Sequence, residues 1–224
     1  MGTRQYSKLV AIFVFGSILT SGSLAQNEQW LQYRSAVEAR QIVMDIGYQY
    51  LQPSSAKPAG VELPAFTSDQ PLFLEWKTSM AASGTIWLAF DKSKPNGQYD
   101  RLYLDANANG DLSDDPALQP YRRDSVQIYF GPAKVVFDSA DGPITYHLSI
   151  ELRVFPQQTH CLLTPACWYE GQITVGGVKK QCLLIDHNVN GAFNDKSLVF
   201  TESDRIRIGE PSGPEAGAVG NYIE

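Results

Sequence analysis

The chain has 224 residues, 43% of them hydrophobic and 19% charged, with a formal net charge of −6. This is the balance of a globular chain with a sizeable core and not of a disordered one. The acidic excess and the absence of any Lys/Arg-rich run argue against nucleic acid or an anionic membrane surface as partner, because basic patches bind both.

In chain order, Arg4 and Lys8 precede an apolar run from Leu9 to Leu19, and Ser23-Leu24-Ala25 places small residues at the two cleavage positions. Residues 1–25 therefore read as a signal peptide, with a mature chain starting at Gln26. The run is short for a membrane span, so no span is expected after its removal. The expected destination is periplasmic or extracellular, where millimolar calcium and disulfides are both compatible with the compartment. Of the three cysteines, Cys161 and Cys167 enclose a short loop containing Pro165 and could bridge. Cys182 lies in the apolar run Cys182-Leu183-Leu184-Ile185 and reads as a buried thiol.

From Asn27 to about Leu51, Trp30, Tyr33, Val37, Ile42 and Ile46 fall near a three-to-four spacing. This predicts one N-terminal α-helix, stopped by Pro53. The Pro/Ser/Ala/Gly-rich stretch that follows to Pro64 reads as a surface linker. From Pro71 the pattern is β, with strands expected at Leu72–Trp76, Thr85–Phe90 and Arg101–Leu104, and an Asn96-Gly97 turn before the last. Further strands are expected at Ser125–Phe130, Ala133–Phe137 and Ile144–Phe155, with Asp141-Gly142 as the turn between the last two. Trp168–Val175, a Gly176-Gly177 turn and Lys179–Ile185 form another hairpin. The expected fold is mainly β, with antiparallel sheets, a duplicated hairpin-plus-loop unit and one N-terminal helix. Its divisions are residues 26–64 (helix and linker), 65–140 (first β unit) and 141–224 (second β unit). The final Asn221–Glu224 looks like the start of a strand, which leaves open whether the chain is a fragment or closes a sheet with it.

The duplication is plainest in two loops. Asp105-Ala106-Asn107-Ala108-Asn109-Gly110-Asp111-Leu112-Ser113-Asp114 and Asp186-His187-Asn188-Val189-Asn190-Gly191-Ala192-Phe193-Asn194-Asp195 share the pattern D-x-N-x-N-G-x-(apolar)-(polar)-D. Each follows a hairpin, and each precedes a similar segment, Asp124–Ile128 and Asp204–Ile208. Calcium takes about six to eight oxygen ligands, and a glycine at the sixth place permits the sharp bend that gathers them. Asn-Gly beside Asp is also ordinary turn chemistry, so agreement between two copies is what favours the metal.

These loops resemble EF-hand-like calcium loops found outside paired-helix EF-hands, in secreted proteins. The resemblance covers the two loops alone. It implies ligands at Asp105, Asn107 and Asn109, the carbonyl of Asp111, Ser113 directly or through water, and Asp114. In the second loop it implies Asp186, Asn188, Asn190, the carbonyl of Ala192, Asn194 and Asp195. Both loops depart from the pattern at position 12, which is Pro116 or Ser197 where EF-hands place a bidentate Glu. The last carboxylate comes either from Asp114 and Asp195 or from Asp124 and Asp204. One or two Ca2+ ions are expected, with a structural role.

Other chemistry has less support. His160 and Cys161 are neighbours and point to opposite faces if they lie on a strand. Trp76, Trp87, Trp168 and Tyr169 could form a carbohydrate platform, but aromatics in strands more commonly fill cores. G-x-S-x-G and H-E-x-x-H are absent. The reading is an exported, non-catalytic calcium-binding protein. The alternative is a secreted hydrolase or carbohydrate-active module whose calcium supports the fold. The sequence names no protein or glycan partner.

Overall fold

The structure is a computed structural model and describes residues 30–39, 47–209 and 217–219. The expected signal peptide and the strand-like chain end at Asn221–Glu224 lie outside the described residues. So do the 27–29 and 40–46 parts of the expected helix.

Three antiparallel sheets make up the fold. The smallest is β3 (Leu72–Lys77), β4 (Thr85–Asp91) and β5 (Arg101–Leu104), in that spatial order. The second has the order β2 (Gln49–Leu51), β9 (Thr159–Pro165), β8 (Ile144–Val154), β7 (Gln127–Phe137), β6 (Arg122–Arg123). The third has the order β1 (Gln32–Ser35), β10 (Cys167–Val175), β11 (Val178–Ile185), β12 (Arg205–Ile208), β13 (Gly217–Ala218).

Alternation along β8 shows how the sequence builds this arrangement. Tyr146, Leu148, Ile150 and Leu152 are buried, and the residues between them are half-buried. With Phe130, Val135 and Phe137 of β7 they join one core cluster with Trp76, Ile86, Leu88 and Phe90 of β3 and β4. Full burial of each such side chain stabilises the fold by about 1.5–3 kcal/mol. The other face of β3–β5 is covered too, since Phe73, Ala89, Tyr103 and Leu112 form a second cluster. The smallest sheet is therefore buried on both sides, which fits the nearly continuous apolar run of β4.

The expected hairpins form. Gly176 and Gly177 take φ of +58° and +78° in the two-residue turn between β10 and β11, a turn whose twist matches that of its strands. Residues 138–143 join β7 to β8, and the 140/141 boundary between the expected β units falls inside this turn. The two strands expected at Ser125–Phe130 and Ala133–Phe137 are one strand, β7, broken in register between Phe130 and Ala133. The Gly131-Pro132 pair lies between the two expected strands and forms a bulge in the fold.

The N-terminal helix is corrected. Its described residues form β1, a single helical turn α1 (Ala36–Ala39) and β2. Strand pairing overrides the helical spacing: Gln32–Ser35 runs beside Cys167–Glu170, and the Ala36 N–H continues the ladder to the Ala166 carbonyl at 2.8 Å. Tyr33 packs edge-on against Tyr169, whereas Trp30 and Val37 of the supposed apolar stripe are exposed. Strand β9 has no counterpart among the expected strands, because Leu162 between Cys161 and Leu163 breaks the alternation and the segment ends on Pro165.

The Cys161–Cys167 bridge that the spacing left open does not form. All three cysteines are free and buried, Cys161 in the second sheet and Cys167 and Cys182 in the third. Burial pushes the Cys167 thiol up to about 12 and the Cys161 thiol up as well. Both shifts are opposite to what a reactive thiolate needs. Unfolding the protein without reductant should expose three thiols to a colorimetric reagent, and a count of one would restore the bridge.

Candidate metal-binding loops

Each loop begins where a strand ends. β5 delivers Asp105, whose N–H still bonds the Trp87 carbonyl at 3.1 Å, and β11 delivers Asp186. Both aspartates are buried, at 1% and 0% exposure. The loops then follow the same path. Position 4 is left-handed in both, Ala108 at φ +60° and Val189 at +57°, and so is the position-6 glycine, Gly110 at +83° and Gly191 at +91°. For a β-branched residue such as Val189 this conformation is strained, by about 1–2 kcal/mol.

The hydrogen bonds repeat as closely. Asp105 accepts the N–H groups of Asn109 and Gly110, each at 3.0 Å, on its two oxygens. Asp186 accepts those of Asn190 and Gly191 at 3.3 and 2.8 Å. The position-3 amide oxygen accepts the position-5 N–H, at 3.1 Å in each copy. The position-5 amide oxygen accepts the position-7 N–H, at 2.8 Å in Asn109 and 2.9 Å in Asn190. The side-chain nitrogens of positions 3 and 5 both reach one oxygen of the position-10 aspartate. Those distances are 3.3 and 2.8 Å to Asp114, and 3.0 and 2.6 Å to Asp195. Positions 1, 3, 5 and 10 are thus gathered together in both loops by the loops' own donors.

The remaining expected ligands are placed less uniformly. Asp111 turns its carboxylate to the N–H and hydroxyl of Ser113, at 2.7 and 2.6 Å, and the hydroxyl bond followed by the N–H bond holds it below the usual range. Its side chain is therefore engaged locally, which suits a ligand used through the backbone carbonyl. Ser113 and Asn194 are exposed. Ala192 offers only its carbonyl. Leu112 and Phe193 at position 8 both anchor inward, Leu112 at 0% exposure in the second core cluster and Phe193 edge-on against Tyr169.

The similar trailing segments pair Asp124 with Asp204 in sequence, but the two differ in what they touch. Asp124 accepts the N–H groups of Val126 and Gln127 at the start of β7 and so closes a separate turn. The residue that matches Asp204 is Asp115. Ala106 donates its N–H to Asp115 at 2.8 Å, and His187, the same position of the second loop, donates to Asp204 at 3.1 Å. The Asp114-Asp115 doublet is the signal that could have marked it.

The two loops differ in setting. Asn107, Asn109 and Asp114 are exposed, whereas Asn188, Asn190 and Asp195 are half-buried and Val189 is fully buried. The Val189 carbonyl accepts the indole N–H of Trp76 at 2.7 Å and the Gln49 amide at 2.9 Å. Tyr146 donates its hydroxyl to Asp186 at 2.7 Å. Residues of all three sheets therefore meet at the second loop. Burial raises the Asp186 carboxyl to about 6 and the Asp204 carboxyl to about 7, and it raises Asp105 and Asp115 as well.

Among the described residues, no three His, Cys, Asp or Glu side chains converge to hold a metal by themselves. A cation here would depend on amide and carbonyl oxygens beside the carboxylates. That donor set suits hard calcium and does not suit the transition metals. The other candidates are packed groups. Trp76 and Trp168 are buried, and His160 stacks between Tyr50 and Phe155 while Cys161 faces the core.

Two expected outcomes follow from this geometry. Gly110→Ala should cost about 1–2 kcal/mol for the left-handed backbone, with open space around the new methyl. Gly191→Ala should cost about 1–3 kcal/mol more, because its methyl would meet Thr78, Met80 and Phe137. Urea unfolding compares the two, and equal losses would contradict the packed setting of the second loop. The second outcome concerns pH. The ordinary aspartate value is about 4, so the raised Asp186 and Asp204 values stabilise the metal-free fold fully below that pH. This contribution is lost as pH rises through about 6 and 7. In excess chelator the melting temperature should therefore fall between about pH 4 and 7, as calorimetry would show; a flat profile would mean that these carboxyls are not perturbed.

Comparison with protein-family models, curated protein sequences and solved structures found no match to this chain.

Proposed function

We propose that this is an exported calcium-binding protein in which one or two ions have a structural, non-catalytic role. The observation that carries the reading is the agreement of the two loops. They share left-handed backbone at positions 4 and 6 and the same bonds among positions 1, 3, 5, 7 and 10. Each loop offers two carboxylates, two amide oxygens and a position-7 carbonyl, and water can complete the shell. Amides at positions 3 and 5 lower the ligand charge, which favours the weak extracellular range of about 10⁻⁴ to 10⁻³ M.

The ion's contribution is electrostatic. Asp105 and Asp186 are held inside the protein with partial compensation from backbone N–H groups. A divalent cation would compensate their charge and that of Asp114 and Asp195. Binding to the folded state alone would then raise stability by mass action.

Calorimetric titration of the mature chain, with thermal melts in calcium and in chelator, tests this. Heat of binding and a higher melting temperature at millimolar calcium are expected, and the absence of both would sink the proposal. Asp105→Ala should weaken binding more than Asp111→Ala, whose side chain is engaged with Ser113. Equal losses would show that position 7 binds through its carboxylate.

A further inference from the structure

We infer that Asp115 and Asp204 are positioning residues that clamp the two loops from behind, an inference that rests on the calcium-binding reading and names further residues for it. In each copy the position-2 N–H, of Ala106 or His187, is received by one of these carboxylates. Asp204 is fully buried and its second oxygen receives the N–H of Asp195, the position-10 residue, at 2.9 Å. Its own N–H returns to the Asp195 carbonyl at 3.1 Å, and its carbonyl accepts the Val219 N–H at 2.9 Å. Both oxygens of Asp204 are thus committed to backbone donors, one at each end of the loop.

The chain reaches this contact by two different routes. Asp115 stands ten residues after Asp105 and directly follows Asp114. Asp204 stands eighteen residues after Asp186, beyond a detour over residues 196–203 that holds a short 3-10 turn at Phe200–Glu202. A contact that was only a by-product of local turn geometry would not survive an eight-residue difference in path.

The clamp has a definite mechanical task. The strand ladder fixes position 1, as the Asp105 N–H shows. Positions 3 and 5 are fixed by the loop's own turns. Position 2 lies between these two supports, and the clamp holds it. In the second loop it also holds position 10, whose carboxylate belongs to the ligand set. Groups behind a metal shell that orient its ligands typically change metal affinity by about 10–100-fold when removed.

The test compares Asp115→Ala with Asp115→Asn in the full mature chain. The Gly110 and Gly191 amide resonances report calcium uptake by each loop separately, and hydrogen exchange of the Ala106 N–H is measured in chelator. Asp115→Ala should weaken calcium at the first loop by about 10–100-fold, leave the second loop unchanged and speed exchange at Ala106. Asp115→Asn should stay close to wild type in both readouts, because its amide oxygen can accept the same N–H. Asp204→Asn should weaken the second loop, since one amide oxygen cannot receive both His187 and Asp195. If Asp115→Asn is as weak as Asp115→Ala, Asp115 acts through its charge on the ion and the positioning role is overturned. Normal calcium uptake and unchanged exchange in Asp115→Ala overturn it too. Wild-type protein that takes up no calcium would overturn the calcium-binding reading itself, which is a separate result.

Discussion

A carboxylate held at the buried end of a strand is the constraint on which the rest of this structure depends. Asp105 and Asp186 stand where β5 and β11 leave their sheets, and neither is open to water. Burying an ionised group is costly unless it is paired or hydrogen-bonded. The backbone meets that requirement in part by turning twice through left-handed conformations, so that successive N–H groups point back at the aspartate. The loop shape is therefore a consequence of the carboxylate's need for donors. The same turns gather the oxygens of positions 3, 5 and 10.

The two copies use this device at different depths. The first loop is at the margin, with its amides exposed and with Leu112 anchoring it to the lesser core cluster. The second is a junction. Trp76 from the smallest sheet, Gln49 and Tyr146 from the second sheet and Asp186, directly after β11 of the third, meet there. Val189 is held in a conformation that a β-branched residue avoids, and its carbonyl receives two donors from elsewhere in the chain. Strain of this kind persists only where surrounding contacts over-determine it. Calcium at the first loop would act locally. At the second loop it would act on the joint between the sheets.

Much of the β architecture was legible because its physical signal is local. Alternation in β8, the Gly176-Gly177 turn and the apolar run of β4 are each contained within a few residues. The failures share a cause. Residues 32–35 are a strand only because Cys167–Glu170 lies beside them, and no local pattern carries that information. β9 alternates too weakly to stand out until pairing with β8 and β2 sets it in the sheet and turns Cys161 and Leu163 into the main core. Even Gly47 is intelligible only in three dimensions, because a side chain there would run into the His187 carbonyl.

The loops show the same division at finer scale. Positions 1, 3, 5, 6 and 10 are spaced by the geometry of one continuous turn, so spacing in sequence located them. The clamp is defined by what it touches, and the chain between position 10 and the clamp can be of any length that returns. Sequence alignment therefore matched Asp204 to Asp124, which precedes a similar strand, and passed over Asp115, which makes the equivalent bond. The departure at position 12 becomes intelligible on the same ground. In a paired-helix EF-hand the outgoing helix fixes the end of the loop and carries the last ligand. No α-helix leaves either loop here, and Pro116 and Ser197 occupy the twelfth positions. A side-chain carboxylate returning to the backbone at position 2 supplies the missing restraint. It can be delivered equally well by the next residue or by a strand that begins after a detour.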